Sequence, residues 1–334
     1  LCCEIDLPTK PLTDLNDATG EIALCTLSAI NWGVFKTPEE MEKACTLAVR
    51  GLDALLSYQN YPVLAAAYAT QNRRPLGVGI INLAYWLAKN DFTYSDPSCL
   101  PELDRWAQHW SYYLIKASAD LAKEFGACPK SNETKYHEGI LPVDTYKREV
   151  DELVDPVDHV DWKGLREQLK ATGIRNSTLM ALMPAETSAQ ISNSTNGVEP
   201  PRSYISVKQS KHGALKQVVP EFRRLKNKYE LLWDQKSPEG YLKIMSILQK
   251  YIDQGISVNT SYNPSHYEDD KVSMSDLLKH IVMFYKYGGK QLYYNNTHDG
   301  QGEIDIDRDV KDSVEVDNSP EQYDDDDDCD SCKI

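Results

Sequence analysis

The stretch Ser177-Thr178-Leu179-Met180-Ala181-Leu182-Met183 is the clearest indication of a fold in this sequence of 334 residues. It is a short apolar run bounded by turn signals, and it leads directly into Pro184-Ala185-Glu186-Thr187-Ser188. A run of this length with such boundaries is typical of a strand that is buried on both faces. Strands of this kind belong to parallel sheets covered by helices, so the stretch favours an α/β protein.

Helix and strand patterns alternate on both sides of this run. Ile22-Ala23-Leu24-Cys25-Thr26-Leu27 and Gln291-Leu292-Tyr293-Tyr294 are two more candidate strands. A capping box at Thr37-Pro38-Glu39-Glu40 predicts a helix that continues to about Tyr58. Other predicted helices span 77–89, 103–125, 161–172, 220–233, 239–254 and 273–287, and a predicted β-hairpin with Gly213 at its turn spans 203–219. The alternation predicts an α/β body with a mainly parallel sheet or barrel, whose active site would lie at the carboxyl ends of the strands.

The acidity of the sequence is concentrated at its end. The formal net charge is −15, and residues 301–334, with 14 acidic and 3 basic side chains, account for −11 of it. The run Asp324-Asp325-Asp326-Asp327-Asp328 repels itself, so a disordered acidic tail at 301–334 is predicted beyond a body at 1–300. The nearly neutral body lacks the basic field that nucleic-acid binding requires. The sequence has no run of 18 apolar residues and no signal-peptide pattern, which predicts a soluble, intracellular protein.

Two cysteines lie on the acidic tail, in the sequence Cys329-Asp330-Ser331-Cys332. Two thiols at this spacing on a mobile arm can close into a disulfide and so carry reducing equivalents to another site. Half of a zinc site is the alternative, but a second Cys/His pair with ligand spacing is missing from the sequence. The sequence therefore predicts a redox-active tail and no metal site.

A cysteine and a carboxylate lie close together near the start of the sequence, at Cys2-Cys3-Glu4. In an extended segment Cys2 and Glu4 share one face, while Cys3 points to the other. A neighbouring carboxylate disfavours a thiolate, so the pair suits a sulfur that reacts as a radical beside a carboxylate that acts as a base. The structural alternative is that both cysteines are small buried hydrophobic residues.

Three further groups could carry chemistry, and each has a structural alternative. Cys25 lies in an apolar run, where a buried inert thiol is the ordinary interpretation. Residues 184–188 form a strand end followed by a hydroxyl-rich helix start, which could hold a phosphate or be a simple helix cap. Tyr293 and Tyr294 could be core aromatic residues.

Taken in order along the chain, these features resemble the catalytic, large subunit of class I ribonucleotide reductases. The stretches that carry the resemblance are Glu4-Ile5-Asp6-Leu7-Pro8-Thr9-Lys10-Pro11, Gly20 to Leu27, Arg175 to Leu179, Pro184 to Arg202 with its Asn196-Gly197-Val198-Glu199-Pro200-Pro201, and Leu292 to Thr297. The resemblance extends over essentially the whole chain. Two residues depart from the family pattern. Ala185 stands where relatives often have Ser, and Cys3 stands where they usually have an apolar residue.

The resemblance implies a role for each candidate residue. Cys2 would be the thiyl-radical residue that takes the 3′ hydrogen of the ribose, and Glu4 would take the 3′-hydroxyl proton. Cys25 would be one of the two thiols that reduce the substrate. The remaining implied roles are a radical relay at Tyr293 and Tyr294, a substrate diphosphate site at Pro184, Ala185, Glu186, Thr187 and Ser188, and re-reduction of the active-site disulfide by Cys329 and Cys332.

The resemblance also implies an architecture and a set of partners. The chain would be the second half of a ten-stranded α/β barrel, with an excursion of a β-hairpin and helices at about 203–262. The N-terminal half, with its second reducing thiol and ATP-binding regions, would lie upstream of residue 1. A metal-bearing small subunit would supply the radical, thioredoxin or glutaredoxin would be the reductant, and no cofactor would bind to the chain itself. We expect a large-subunit dimer in the cytoplasm of a bacterium or a phage- or virus-infected cell, without nucleic-acid or membrane partners.

Two other interpretations remain open. The chain could be a non-catalytic fragment that binds the small subunit through Tyr293, Tyr294 and the neighbouring surface, although such a fragment has no use for the set of thiols. It could also be a glycyl-radical enzyme on a similar barrel. Those enzymes need a glycine radical loop near the C-terminus, where this sequence has the acidic dithiol tail.

Overall fold

The computed structural model of the chain describes residues 3–210 and 213–299. The chain divides into two units, Leu1–Asp299 and Gly300–Ile334, and every described residue belongs to the first. Cys2 and the tail cysteines Cys329 and Cys332 therefore lie outside the described residues.

Helices and strands alternate along the described residues. The α-helices are α1 (Glu42–Tyr58), α2 (Leu64–Arg73), α3 (Leu83–Lys89), α4 (Leu100–Phe125), α5 (Pro142–Thr145), α6 (Trp162–Thr172), α7 (Glu186–Ile191), α8 (Phe222–Leu225), α9 (Glu239–Gln249) and α10 (Met274–Lys286). The strands are β1 (Thr26–Asn31), β2 (Leu76–Ile81), β3 (Ile205–Ser210), β4 (Gly213–Val218), β5 (Thr260–Tyr262) and β6 (Asn295–Thr297). Short 3₁₀ helices join them at Trp32–Val34, Pro38–Met41, Pro97–Cys99, Ser131–Glu133, Lys135–Glu138, Arg148–Glu152, Lys226–Lys228, Leu232–Asp234, Pro264–His266 and Glu268–Asp270.

Parallel pairing links five extended segments in chain order. β1 pairs with β2 in parallel, from Thr26 opposite Leu76 to Asn31 opposite Ile81. Single parallel bridges then join Val78 to Met180 and Leu182 to Ile256. Finally β5 pairs in parallel with β6. We call these five segments, β1, β2, 178–183, 254–262 and 291–297, the strand array.

The strand array agrees with an α/β fold, because helices lie in the connections between its parallel segments. The prediction for this chain is the second half of a ten-stranded barrel. The described residues do not form a closed barrel, because their pairs extend no further than β1 at one end and β6 at the other, and the number of ten strands stays a prediction. A barrel closes when its first and last strands pair with each other. The predicted hairpin is confirmed as the antiparallel pair β3–β4, with Ile205 opposite Val218.

β2 is the largest correction to the predicted elements. The helix predicted at 77–89 is wrong in its first part, where all six residues from Leu76 to Ile81 are buried in a strand, and it is correct only for α3. Asn82 separates the two elements with a left-handed backbone (φ 70°). Its side chain donates to Asn31 Oδ1 (2.9 Å) and accepts from the Thr195 N–H (2.9 Å). These contacts stabilise the turn between the strand and the helix. The spacing of apolar residues in the sequence does not reveal them, because their partners are distant in the chain.

The ends of two other predicted strands differ as well. The strand predicted at 22–27 begins at Thr26. The Ile22 N–H donates to the Ala65 carbonyl of α2, so the residues just before Thr26 contact α2 and do not continue the strand. Cys25 thus lies just before β1. The last strand, predicted at 291–294, is found at Asn295–Thr297, although the Tyr293 N–H already donates to the Val258 carbonyl (2.7 Å).

The core lies between the strand array and the helices around α4. α4 packs against α1, α6 and α9. Trp106 of α4 forms a cluster of indole rings with Trp32 and Trp86, with its ring centroid 5.6 Å from that of Trp32 and 5.2 Å from that of Trp86. In the described part of the chain, no helix is long and apolar enough to cross a membrane.

Asp53 is a buried charged centre that ties α1 to the start of the strand array. Its Oδ1 accepts from Arg74 Nε (2.6 Å) and from Asn176 Nδ2 (3.0 Å), and its Oδ2 pairs with Arg175 Nε (3.3 Å). Arg74 precedes β2, and Asn176 precedes the 178–183 segment. Asp53 and Arg74 are both buried, so each charge depends on the other for compensation.

We expect Asp53→Ala to lower the free energy of unfolding by about 3–5 kcal/mol, because it leaves the buried Arg74 guanidinium without its carboxylate. Chemical denaturation followed by circular dichroism measures this loss. Glu124→Ala is the control. Glu124 forms an exposed ion pair with Arg50, which lies on α1 like Asp53, and its removal should hardly change the midpoint of denaturation. Equal effects of the two changes would contradict the role of Asp53.

Candidate functional site

The carboxylate of Glu4 is completely buried (0% exposed), and the hydroxyl of Ser257 contacts it. The Ser257 hydroxyl donates to Glu4 Oε2 and also accepts the Cys3 N–H (2.9 Å). The other carboxylate oxygen, Oε1, is buried and lacks a hydrogen-bond partner among the described residues. A buried oxygen of this kind is costly unless a ligand or another group satisfies it, which makes Glu4 a candidate functional group.

Backbone contacts hold the segment around Glu4 against the strand array. The Gly255 N–H donates to the Glu4 carbonyl (2.9 Å), and Gln291 Nε2 donates to the carbonyls of Cys3 (2.7 Å) and Ile256 (3.1 Å). A Cβ atom at Gly255 would meet Gln291 Nε2 at 2.1 Å. Glycine at this position therefore permits the close approach of the segment.

Two glycines of β2 make room for side chains on one face of the strand array. A Cβ atom at Gly77 would lie 2.7 Å from Cys25 Sγ, and one at Gly79 would lie 2.7 Å from Met183 Sδ. Residues 77 and 79 share a face of the strand because side chains alternate. The thiol of Cys25, which is half-buried, and the side chain of Met183 therefore lie over the same face.

The segment Pro184–Ser188 follows the third segment of the array and leads into the six-residue helix α7. Pro184 has no backbone N–H, and the N–H of Ala185 donates to Asn196 Oδ1 (3.0 Å). These two positions therefore offer no N–H to an anion. The side chains of Glu186, Thr187 and Ser188 are exposed, so the later part of the segment is the accessible part.

The two tyrosines of the last segment are in contact with each other. The centroids of the rings of Tyr293 and Tyr294 lie 4.0 Å apart, and the Tyr293 hydroxyl donates to the Tyr294 hydroxyl (3.0 Å). Tyr293 is half-buried, whereas 48% of Tyr294 is exposed. The pair thus extends from the strand array, beside Val258, to the protein surface.

Three other cysteines are buried in the body. Burial raises the pKa of the Cys45 thiol, that of Cys99 to about 12 and that of Cys128 to about 11. All three thiols are enclosed in the core, where they pack as small apolar side chains. Cys3 and Cys25, which are half-buried, remain as the candidates for chemistry among the described cysteines.

The candidate residues lie along the strand array and do not gather at its carboxyl ends, and whether they form one active site stays a prediction. Cys25 precedes β1 at the amino end, and 184–188 follow the carboxyl end of the third segment. Glu4 lies beside the fourth segment, and Tyr293 is on the fifth. The segment around Glu4 approaches the array through its backbone, at Gly255 near the amino end of the fourth segment.

Residues that the sequence did not point to hold the site together. Ser257, Gly255 and Gln291 each contact the segment that carries Glu4, and they lie at least 250 residues away from it in the chain. A pattern search near Glu4 cannot find them. Within residues 3–210 and 213–299, no group of three or more His, Cys, Asp or Glu side chains could hold a metal ion.

Comparisons with known proteins agree with an α/β architecture of this kind. A family model described as the barrel domain of ribonucleotide reductase matches residues 1–295. The chain belongs to the ribonucleotide reductase barrel-domain family. Ribonucleoside-diphosphate reductase subunit alpha of Haemophilus influenzae is 56% identical over 309 residues, which are 92% of this chain and 41% of that protein.

Other relatives of this barrel domain come from a bacterium and a phage. Ribonucleoside-diphosphate reductase 1 subunit alpha of Escherichia coli is 52% identical over 300 residues, 90% of this chain and 39% of that protein. The alpha subunit of Enterobacteria phage T4 is 42% identical over 338 residues, 100% of this chain and 42% of that protein. The chain thus spans about two-fifths of the length of these relatives.

Asp253 is a half-buried acid just before the fourth segment of this ribonucleotide reductase domain. It accepts the N–H groups of Leu179 (2.7 Å) and Met180 (2.9 Å) and the hydroxyl of Tyr136 (2.8 Å). Burial nevertheless raises its pKa to about 6. The folded protein therefore keeps a proton on Asp253 between about pH 4 and pH 6 that the unfolded chain releases, so rising pH lowers the stability in this window.

We expect the free energy of unfolding of the unchanged protein, relative to that of Asp253→Asn, to fall by about 2 kcal/mol between pH 4 and pH 7, since asparagine cannot ionise. Urea denaturation at several pH values measures the difference. Asp158→Asn removes an exposed carboxylate and is the control, for which the difference should not depend on pH. A difference for Asp253→Asn that is constant with pH would disprove the raised pKa.

Proposed function

We propose that this chain carries the radical and redox chemistry of a ribonucleoside-diphosphate reductase large subunit. The reaction would convert ribonucleoside diphosphates into 2′-deoxyribonucleoside diphosphates for DNA synthesis. The observation that carries the proposal is the buried carboxylate of Glu4, which lies two residues after Cys2 and has Oε1 without a partner among the described residues. A carboxylate with an open oxygen in a dry site is suited to take a proton from a substrate hydroxyl.

In this proposal Cys2, as a thiyl radical, takes the 3′ hydrogen of the ribose and later returns one. Glu4 accepts the proton of the 3′-hydroxyl while the 2′-hydroxyl leaves as water. Cys25 and a second thiol outside this chain supply two electrons and become a disulfide. The substrate loses one oxygen as water, and the two thiols lose two hydrogens, so the reaction balances. The close approach of Cys25 Sγ to the backbone of Gly77 supports a place for this thiol beside the strand array.

The diphosphate of the substrate would bind at Pro184, Ala185, Glu186, Thr187 and Ser188. Because Pro184 and Ala185 have no N–H to offer, the hydroxyls of Thr187 and Ser188 and the start of α7 would provide the donors. Relatives that have serine at position 185 would gain one more hydroxyl there. We therefore infer a phosphate site that depends mainly on the second half of the segment.

Tyr293 and Tyr294 would relay the radical from the surface to Cys2. Their rings are 4.0 Å apart and their hydroxyls are hydrogen bonded, which is a suitable geometry for moving an electron and a proton between two phenols. The exposed Tyr294 would face the small, metal-bearing subunit that supplies the radical. The half-buried Tyr293 would be the inner step, beside the strand that carries Ser257.

We infer that the chain works with several partners. An N-terminal half of the large subunit would contribute the other five strands of a ten-stranded barrel, the second thiol and the ATP-binding regions. The large subunit would form a dimer in the cytoplasm of a bacterium or a phage-infected cell, as the sources of the relatives suggest. Thioredoxin or glutaredoxin would reduce the tail dithiol Cys329/Cys332.

An assay of diphosphate reduction tests this function. The chain is mixed with the remaining part of a related large subunit, the small subunit and a protein reductant, and deoxynucleotide is measured by chromatography. We expect Cys2→Ser to lower turnover by at least about 10³-fold, because the oxygen of serine cannot replace the thiyl radical. Cys45→Ala is the control, as this buried structural thiol should not be required. Equal activity of Cys2→Ser and the unchanged chain would disprove the proposal.

The tail cysteines give a second test. We expect a chain with Cys329→Ser and Cys332→Ser to make one round of product from its prereduced state and then stop when thioredoxin or glutaredoxin is the reductant. The active-site disulfide would then have no carrier to reduce it. Product per chain, measured with and without the substitutions, gives the answer. Continued turnover with a protein reductant would show that the tail is not the carrier.

A non-catalytic, partner-binding fragment is the second candidate, and the surface of α10 favours it. This helix exposes five large apolar side chains, namely Met274, Leu278, Ile281, Val282 and Tyr285. An apolar face of this kind is typical of a surface that another protein covers. If the chain binds a small subunit but the reconstituted assay yields no deoxynucleotide, this candidate replaces the enzyme.

A further inference from the structure

Glu4 is an unusual buried acid because a neutral hydroxyl is its side-chain partner. Its carboxylate is 0% exposed, and the Ser257 hydroxyl is the hydrogen-bond donor to Oε2. The structure describes no arginine or lysine paired with this carboxylate, whereas Asp53 and Asp104 are buried beside cations. The direction of the Glu4 carboxylate therefore depends on one hydrogen bond.

The hydroxyl of Ser257 has a fixed orientation. It accepts the Cys3 N–H (2.9 Å), so its own proton is directed towards Glu4 Oε2. A serine hydroxyl has one proton to donate, and the contact with Glu4 uses it. The hydroxyl thus joins the amide of Cys3, the residue after Cys2 in the sequence, to the carboxylate of Glu4.

The position of Ser257 itself is set by the strand array. Its N–H donates to the Leu182 carbonyl (3.0 Å), two residues before the proposed phosphate segment begins at Pro184. Ser257 is also buried (5% exposed). Its hydroxyl therefore lies at a fixed place relative to the strand that leads to the phosphate segment.

We propose that Ser257 is the positioning residue that turns Glu4 Oε1 towards the ribose 3′-hydroxyl. This inference rests on the proposed function. With Oε2 held by Ser257, Oε1 is the oxygen left to accept the proton of the substrate hydroxyl, and the carboxylate cannot rotate freely. A base that is fixed in its reactive orientation lowers the barrier of proton transfer, because less ordering is needed in the transition state.

Other contacts separate this role from a simple structural one. The Gly255 N–H holds the Glu4 carbonyl (2.9 Å), and Gln291 Nε2 holds the Cys3 carbonyl (2.7 Å). These bonds keep the backbone of residues 3–4 in place when the hydroxyl of Ser257 is removed. The loss of the hydroxyl should therefore change the orientation of the Glu4 carboxylate more than the fold.

The test compares Ser257→Ala with the unchanged chain in the reconstituted reductase assay. We expect kcat to fall about 10- to 100-fold, the usual effect of losing a hydrogen bond to a charged group, while KM changes less than about threefold. Ser257→Thr keeps a hydroxyl and should restore most of kcat. A structural defect would instead lower the melting temperature and would not be rescued selectively in kcat.

Two further variants complete the comparison. Ser111→Ala is the matched control, because Ser111 is equally buried and its hydroxyl donates to the Tyr251 carbonyl on the helical side of the core. It should keep the kcat of the unchanged chain. In a Glu4→Gln background, Ser257→Ala should have little further effect on kcat, since the group that it positions is gone.

The outcomes distinguish this inference from the proposed function. If the unchanged chain makes no deoxynucleotide, or Glu4→Gln is as active as the unchanged chain, the proposed function fails. If Glu4→Gln is inactive but Ser257→Ala keeps kcat within about twofold, the positioning role alone is overturned. If Ser257→Ala does not fold, Ser257→Cys decides: it keeps the size of the side chain with a weaker donor, and an unchanged kcat would overturn the role.

Discussion

The pairing between Leu182 and residues 255–257 is the contact on which the candidate site depends. The Leu182 N–H donates to the Gly255 carbonyl (3.2 Å), and the Ser257 N–H donates to the Leu182 carbonyl (3.0 Å). The proposed phosphate segment begins at Pro184, on one side of this pairing, and the contact between Ser257 and Glu4 lies on the other side. A shift of one residue in this register would turn Ser257 to the opposite face, away from Glu4.

Two glycines of the strand array allow the candidate residues to approach it closely. Gly255 lets Gln291 and the segment of Glu4 approach the strand, and Gly77 lets the sulfur of Cys25 lie over β2. Glycine weakens a strand because it has no side chain to pack and because it loses the most conformational entropy on folding. Here the loss is offset by the apolar core that the strand array shares with the helices around α4.

The sequence predicts local elements well and long-range contacts poorly. Helices α6 and α10 were predicted within one residue, at 161–172 and 273–287, because their apolar and polar residues repeat with a helical period. β2 was missed, since its partners are β1, about 50 residues earlier, and 178–183, about 100 residues later. The roles of Cys25, Glu4 and the tyrosine pair came from resemblance to a family and remain predictions. Ser257 had no local signal, because its importance arises from a contact with a residue at the other end of the domain.

Glu4 is a buried carboxylate whose Oε1 has no hydrogen-bond partner among the described residues, and a functional role would account for this unfavourable burial. Burying a carboxylate with one hydrogen-bond donor costs stability that an apolar side chain would not cost. Asp53 offsets that cost through three polar contacts with neighbours, and the half-buried Asp253 through three hydrogen-bond donors. Glu4 has neither a cation nor a second donor among the described residues, so its burial is not explained by the fold alone. A substrate hydroxyl that donates to Oε1 would satisfy it, and the unsatisfied state would then favour binding in the reactive orientation.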